Sequence, residues 1–375
     1  MSRNSNEKGK GSKTKFIIFG VEIVVLLVML GVLWFVVKAG EGTTRLNINE
    51  SDIVINPEVK ERKEQQESSS GSGSQGAEGN VSEVKTKGYR NIALFGVDST
   101  TGALSKNTRS DVIMIASVNQ DTGDVKLCSL YRDTYLNRGN DTYNKCNSAY
   151  ATGGPEQAIN MLNMNLDLDI TDFVTVGFAG LTRAIDALGG VEIDVDSAER
   201  PHLNNYQYTM AEDMKTTYKE VTKTGLQNLN GLQATAYCRI RYTAGDDYKR
   251  AERQREVLKA TMDKAKKADP ATLTKTANAI FNDKIIYTSL GLEEILDILS
   301  QISEYQIVAD DGFPQADMRG SAKMGGSIGD AVIPRDLYSN VVWLHEFLFD
   351  EANYQPSSEV QKYSDKIKAD SSRYF

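Results

Sequence analysis

Histidine is almost absent from this 375-residue chain, which has two, His202 and His345. That scarcity excludes multi-histidine zinc sites and leaves few candidates for a serine or cysteine triad built on a histidine base. Cysteine is nearly as rare. Cys128, Cys146 and Cys238 are scattered and odd in number, so they form neither a disulfide framework nor a paired metal knuckle. An excess of base is missing as well. A formal charge of −8 argues against a nucleic-acid binder, because phosphate neutralisation needs a basic face. With 40% hydrophobic and 25% charged residues, the composition is that of a globular protein rather than a disordered, collagen-like or multi-pass membrane chain.

Long apolar runs are confined to one place, residues 16–37 (FIIFGVEIVVLLVMLGVLWFVV). At 1.5 Å per residue this run is long enough to cross a hydrocarbon core of about 30 Å, and it is expected to form one spanning helix. Arg3, Lys8, Lys10, Lys13 and Lys15 precede it against the lone acid Glu7. The positive-inside rule therefore puts residues 1–15 in the cytoplasm and everything after the anchor outside. The rival reading, a cleaved signal peptide, suffers from too long a run and a poor small-residue site at Val37-Lys38-Ala39. The first 38 residues hold six basic and two acidic residues, a net +4, so the remainder carries −12. Residues 38–88 are expected to be an extracytoplasmic linker. From Pro57 onward large apolar residues almost vanish and Ser, Gly, Glu and Lys dominate, the composition of a flexible tether.

Beyond the linker, residues 89–352 read as one α/β domain with a mixed central sheet covered by helices on both faces, followed by a polar tail, residues 353–375. Residues 89–97 (YRNIALFGV) make a first strand, and 112–119 and 125–130 form a hairpin across the Asp121-Thr122-Gly123-Asp124 turn. Pro155 opens a helix, 173–178 returns as a strand, 181–188 is a short helix and 191–195 a strand. Residues 198–224 show little period and are expected to be a surface excursion. A helix over 230–237 runs into a strand end at 238–242, and 247–267 form a long helix. Helices over 273–281, 292–303 and 337–349 and a strand at Val332-Ile333-Pro334 complete the expectation.

Chemistry concentrates in two places. Residues 239–255 hold Arg239, Arg241, Lys249, Arg250, Arg253 and Arg255 against Asp246, Asp247 and Glu252, a local +3 inside a strongly acidic region. Two apart on a strand, Arg239 and Arg241 project to one side; Arg250, Arg253 and Gln254 share a helical face at i, i+3 and i+4. A helix N-terminus with guanidinium forks is a phosphate site, while the plainer reading is a solvated face of ion pairs. The second cluster is Asp98 at the end of the first strand, Arg109 and Asp111 opening the second, and Arg132-Asp133 ending the third. Ligands of open α/β sheets bind beyond the carboxyl ends of strands, and carboxylates beside arginines there suit a hard cation and a phosphate.

These residues fall into an ordered set: Asn91-Ile92-Ala93-Leu94-Phe95-Gly96-Val97-Asp98; Arg109-Ser110-Asp111; Ser129-Leu130-Tyr131-Arg132-Asp133-Thr134; Lys145-Cys146-Asn147-Ser148-Ala149-Tyr150 with Gly153-Gly154-Pro155; Ala187-Leu188-Gly189-Gly190-Val191; Leu229-Asn230-Gly231 with Gln233-Ala234; Arg239-Ile240-Arg241; and Asp247 through Gln254. The set resembles the LytR-CpsA-Psr family. The resemblance implies an extracytoplasmic phosphotransferase of the Gram-positive cell envelope. Such an enzyme moves an anionic glycopolymer, teichoic acid or capsule, from a polyprenyl-pyrophosphate carrier onto peptidoglycan with the help of Mg²⁺. Carried over residue by residue, Asp98 and Asp111 are the metal-side carboxylates, Arg132, Arg239, Arg241 and Arg250 grip the pyrophosphate, and Asp247 and Gln254 orient them. Arg109 and Arg253 join the binding set on the charge pattern. Two positions depart from the family pattern: Ser99-Thr100 stand where an arginine often follows the first aspartate, and Tyr131 where proline is common.

A lipid needs an apolar cavity, and Ile159, Leu162, Met164, Phe173, Val176, Phe178, Leu181 and Ile185 are its candidate lining, each also suited to ordinary core. Cys146 has no histidine neighbour in sequence to activate it. Alternatives to the transferase are a tethered polyprenyl-phosphate receptor and a lipid pyrophosphatase that uses water as acceptor. The paired aspartates separate the first of these, since phosphate capture alone gains nothing from carboxylates.

Overall fold

Over Asp172–Gly177 burial alternates with period two, and Ile113 to Ser117 are buried without a break, so successive side chains feed two different layers. The computed structural model describes residues 44–45, 52–70, 88–98, 104–105, 107–281, 286–290, 298 and 301–374. The expected membrane span, the second half of the linker, Ser99-Thr100 and most of the expected helix over 292–303 lie outside them. No helix among the described residues is long and apolar enough to cross a membrane.

In chain order the elements are β1 (Thr44–Arg45), α1 (Pro57–Ser70), β2 (Tyr89–Val97), β3 (Ser110–Asn119), β4 (Asp124–Leu130), β5 (Tyr135–Asn137), β6 (Tyr143–Lys145), α2 (Asn147–Leu166), β7 (Asp172–Gly177), α3 (Phe178–Ala187), β8 (Val191–Val195), α4 (Glu199–Asp213), β9 (Gly225–Leu229), α5 (Gly231–Tyr237), α6 (Asp246–Lys266), α7 (Pro270–Phe281), β10 (Ile286–Thr288), β11 (Gln306–Phe313), β12 (Arg319–Met324), β13 (Gly329–Pro334), α8 (Leu337–Phe349) and α9 (Ser358–Ser371). Seven strands form a mixed sheet in the order β1-β10-β7-β2-β3-β4-β11. β2 runs parallel to β7 and antiparallel to β3, and β4 is antiparallel to β3 and parallel to β11. This is the expected α/β architecture.

One sheet face, with Ala93, Phe95, Val97, Ile113, Ile115 and Phe173, packs on α2, α8 and α9 to make the main core. The opposite parity, Leu94, Val112 and Met114, faces α6. A second core lies under α3, β8, β9 and α5, around Ile185, Val191, Leu203 and Tyr237. α2 bends where Gly154 takes φ 72°, a left-handed conformation open to glycine, and Pro155 starts its second segment.

Three expectations need correction. The linker is not wholly a tether: Thr44–Arg45 pairs with β10, and Pro57–Ser70 is helical. Pro57 stands at the first helical position, Glu58 pairs with Arg62 one turn on, and Val59 is buried beside Asn56, whose amide donates to Met164 O at 2.9 Å. Helix-forming residues with a single apolar anchor, Val59, give a docked helix that composition alone reads as disordered. Residues 353–375 are no tail either, because Val360, Tyr363 and Ile367 recur on one face of α9 and sink into the main core. The supposed excursion at 198–224 contains α4, whose Leu203, Gln207 and Met210 are buried.

Candidate functional site

The sheet topology brings the predicted polar residues to one edge. Because β3 is antiparallel to both β2 and β4, the end of β2, the start of β3 and the end of β4 lie together, carrying Asp98, Asp111 and Arg132. Gly96 pairs with Val112 and Val97 with Ser110, so Asp111 is the extra residue of a bulge. A bulge re-aims the side chain it carries. β7 is parallel to β2, so its end, which becomes α3 at Phe178, joins the same edge. The last contributor is the loop between α5 and α6. Asn230 caps α5 by accepting from Gln233 N at 2.9 Å while Gln233 Oε1 accepts from Asn230 N at 2.9 Å. Past the helix, Arg239 and Arg241 lie in irregular backbone rather than the expected strand end, and Gly245 (φ 96°) turns the chain into α6.

Around Asp111 the guanidiniums converge. Arg132 donates to its Oδ1 at 2.6 Å, Arg241 and Arg250 come within 3.7 and 3.8 Å of Oδ2, and Arg250 also donates to the Asp111 carbonyl at 2.5 Å. Asp247 repeats the pattern, 3.7 Å from Arg132, 3.5 Å from Arg241 and 3.2 Å from Arg250. Burial opposes ionisation of Asp111, but Arg250, Arg132 and Arg241 outweigh it and hold its carboxyl below the ordinary value. For Arg250 burial wins. Together with Arg241 and Arg132 it brings the guanidinium down to about 10, against the pull of Asp111 and Asp247. Arg132, less buried, goes the other way, since Asp111, Asp133 and Asp247 more than offset its desolvation. Arg239 stands over the Phe178 ring at 4.4 Å and 3.8 Å from Asp98, whose carboxylate is half-exposed. The cluster is cation-rich and desolvated enough that an anion would relieve it.

These groups form one end of a cavity of about 700 Å³. Its floor is the second sheet face, Leu94, Gly96, Val112, Met114, Val174 and Val176, and its walls are α3, through Phe178 and Leu181, and α6. Along α6 the lining residues are Arg250, Gln254, Val257, Leu258 and Thr261, a single helical face. That face changes from guanidinium to aliphatic over roughly 16 Å of helix. The shape suits an amphiphile with an anionic head and an apolar tail. Among the described residues no group of three or more His, Cys, Asp or Glu side chains is placed to hold a metal ion. Asp98 and Asp111 supply two carboxylates at adjoining strand ends, a donor set that fits Mg²⁺ only jointly with phosphate oxygens and water.

The profile described as the LytR_cpsA_psr family matches residues 53–328. The chain belongs to the LytR-CpsA-Psr family. Among its relatives is the polyisoprenyl-teichoic acid–peptidoglycan teichoic acid transferase TagU of Enterococcus faecalis, 28% identical over 261 residues, covering 68% of this chain and 72% of the relative. TagU of Halalkalibacterium halodurans is 31% identical over 56% of this chain and 64% of its own length. Biofilm regulatory protein A of Streptococcus mutans is 29% identical over 58% and 55%. The chain thus spans between about half and three quarters of these relatives. Among solved structures, Bacillus subtilis TagV superposes with a TM-score of 0.55 at 23% identity, covering 72% of this chain and 99% of that one. The structure titled TagT bound to LI-WTA gives 0.52 at 20% identity, covering 80% and 96%. At these identities the likeness is one of fold.

Of the site residues expected for a LytR-CpsA-Psr protein, Asp98, Arg109, Asp111, Arg132, Arg239, Arg241, Arg250 and Gln254 line the cavity, and Asp247 braces three of its arginines. Arg253 does not face it. It is buried with Glu199, which the reading of 198–224 as a surface excursion gave no means of finding. Of the expected lipid lining, Val176, Phe178 and Leu181 are present. Ile159, Leu162 and Phe173 belong to the main core on the other sheet face, Met164 packs against that core, and Ile185 is in the second core. Parity explains Phe173: it is odd-numbered on β7, and Val174 and Val176 are the residues that face the cavity. Missed altogether were Leu94, Met114, Val174 and Leu258, which strand parity and the i, i+4 repeat from Arg250 would have supplied, and Tyr206, a turn beyond His202 on α4. All three cysteines are free and buried, and burial raises each thiol, Cys238 to about 12. His345 is buried too, its Nε2 2.9 Å from Leu166 O.

Proposed function

We propose that this protein is a membrane-anchored, extracytoplasmic phosphotransferase that moves an anionic glycopolymer of teichoic acid or capsular type from a polyprenyl-pyrophosphate carrier to peptidoglycan. The observation that carries the reading is a cavity lined by five arginines and, along one face of α6, by aliphatic side chains. Relatives named as teichoic acid transferases and a fold neighbour titled as bound to LI-WTA support it. Residues 16–37 are the anchor, with the catalytic domain outside the cell membrane.

The prenyl chain lies along Val176, Leu181, Val257 and Leu258, and the pyrophosphate meets Arg132, Arg239, Arg241 and Arg250. A peptidoglycan hydroxyl attacks the phosphorus that carries the glycopolymer. A new P–O bond forms, the P–O bond bridging the two phosphates breaks, and polyprenyl phosphate leaves with the electron pair. The glycopolymer keeps one phosphate. Charge gathers on the bridging and leaving oxygens, where the pre-placed guanidiniums stabilise it most. Asp98, half-exposed at the cavity mouth, takes the proton of the attacking hydroxyl. Asp98 and Asp111 would hold Mg²⁺ against the phosphates, and the ion would add further charge neutralisation.

The test is transfer of a synthetic lipid-pyrophosphate-linked saccharide to peptidoglycan fragments by wild type, Asp98→Asn and Asp111→Asn, with Mg²⁺ and with chelator. Wild type transfers, and both variants and the chelated enzyme lose turnover far more than lipid binding. Lipid binding without transfer by wild type leaves a receptor, release of free saccharide phosphate leaves a pyrophosphatase, and full activity in both variants removes the metal-assisted mechanism.

A further inference from the structure

Arg253 is about 1% exposed, and its guanidinium is committed on all three sides. Nε donates to Glu199 Oε1 at 2.8 Å, one terminal nitrogen donates to the Ile240 carbonyl at 3.1 Å, and the other donates to Thr243 Oγ1 at 2.7 Å. Glu199 also accepts from the Tyr237 hydroxyl at 3.3 Å and, through its second oxygen, from Asp196 N at 3.0 Å. The Ile240 carbonyl sits between Arg239 and Arg241, and Thr243 follows two residues on, its amide closing on the Arg241 carbonyl at 2.8 Å. Gln254, next on α6, donates to the Cys238 carbonyl at 3.3 Å. Consecutive α6 side chains thus grip the backbone of the loop at residues 238 and 240.

That loop belongs to no strand, yet it carries Arg241, whose guanidinium shares Asp111 and Asp247 with Arg132 and Arg250, and Arg239, which reaches Asp98. Those ion pairs hold the side-chain tips but not the backbone that carries them, and the planar fork of Arg253 meets two points of the loop at once. We propose that Arg253 is a positioning residue: it never reaches the ligand, and it fixes the loop so that Arg239 and Arg241 face one pyrophosphate together. Glu199, the first residue of α4, orients Arg253 in turn. This rests on the reading of the cavity as a prenyl-pyrophosphate site.

The experiment compares geranylgeranyl pyrophosphate with geranylgeraniol as ligands of the full-length chain in detergent, for wild type, Arg253→Lys, Thr243→Val and the double variant, with melting temperatures measured alongside. Lysine keeps the charge beside Glu199 but cannot span Ile240 and Thr243. Thr243→Val removes one anchor while leaving Arg253 and its burial in place. The expected result is a loss of pyrophosphate affinity of roughly tenfold in each single variant, the scale of one charge-assisted hydrogen bond, with alcohol binding unchanged. The double variant is no weaker than Arg253→Lys, since the lysine has already let go of Thr243. Wild-type affinity in both single variants, or loss of both ligands in step with the melting temperature, overturns the proposal. A wild type that binds the alcohol and the pyrophosphate alike overturns the pyrophosphate reading together with it.

Discussion

Replacing Asp111 with asparagine removes one of the two carboxylates, Asp247 being the other, that Arg132, Arg241 and Arg250 share, while keeping its size. Its side chain is about one-fifth exposed, so the cost falls between the 0–1 kcal/mol of a surface pair and the 3–5 kcal/mol of breaking a buried one, at about 2–3 kcal/mol. For a domain of this size that corresponds to roughly 4–12 °C in melting temperature. The sign with pH is fixed by the lowered pKa. The unfolded carboxyl titrates near 3.9, so the stabilisation is fully present above that pH and is lost as pH falls through the lower folded-state value. The gap between wild type and Asp111→Asn should therefore be full from pH 5 to 8 and close on acidification below pH 4. Inorganic pyrophosphate should raise the variant's melting temperature more than the wild type's, because the anion replaces the missing charge and no longer competes with Asp111. Thermal melts across pH, with and without pyrophosphate, measure all three effects. A variant that melts with wild type at pH 7, or gains nothing extra from pyrophosphate, refutes the electrostatic account.

Arg239→Ala and Arg241→Ala should abolish transfer with little change in melting temperature, because both side chains are partly exposed and leave the apolar core untouched; normal transfer at a matched melting temperature contradicts this. Val176→Trp should block lipid binding at nearly wild-type stability by filling the cavity, whereas Ile159→Ala, on the opposite sheet face, should cost about 2–5 kcal/mol and spare lipid affinity; equilibrium unfolding and a lipid-binding titration check the pair. Protease added to intact protoplasts should remove the domain that follows residues 16–37, and a protected C-terminus contradicts the topology.

The central sheet was legible because strands 89–97, 112–119 and 125–130 are apolar runs bounded by turn residues, and the charge contrast at 239–255 pointed at the site before any geometry was known. What the sequence hid depended on distant partners. Arg253 shares a helical face with Arg250 in any wheel diagram; only the buried Glu199, some fifty residues away, decides that it turns inward. The bulge at Asp111 comes from pairing with β2, which no local pattern reveals. Phe173 and Val176, both expected to line the cavity, have opposite parity on one strand, so only one of them can face it. α1 and α9 are hidden by their mostly polar faces, which mask one buried anchor, Val59, in the first and three, Val360, Tyr363 and Ile367, in the second.

The most direct measurement of the central claim is mass spectrometry of the lipid that co-purifies with the full-length protein from its own membranes. The account predicts a polyprenyl phosphate or pyrophosphate, with or without attached saccharide, retained by wild type and lost from Arg241→Ala. Only bulk phospholipid, in the same amount in both proteins, contradicts it.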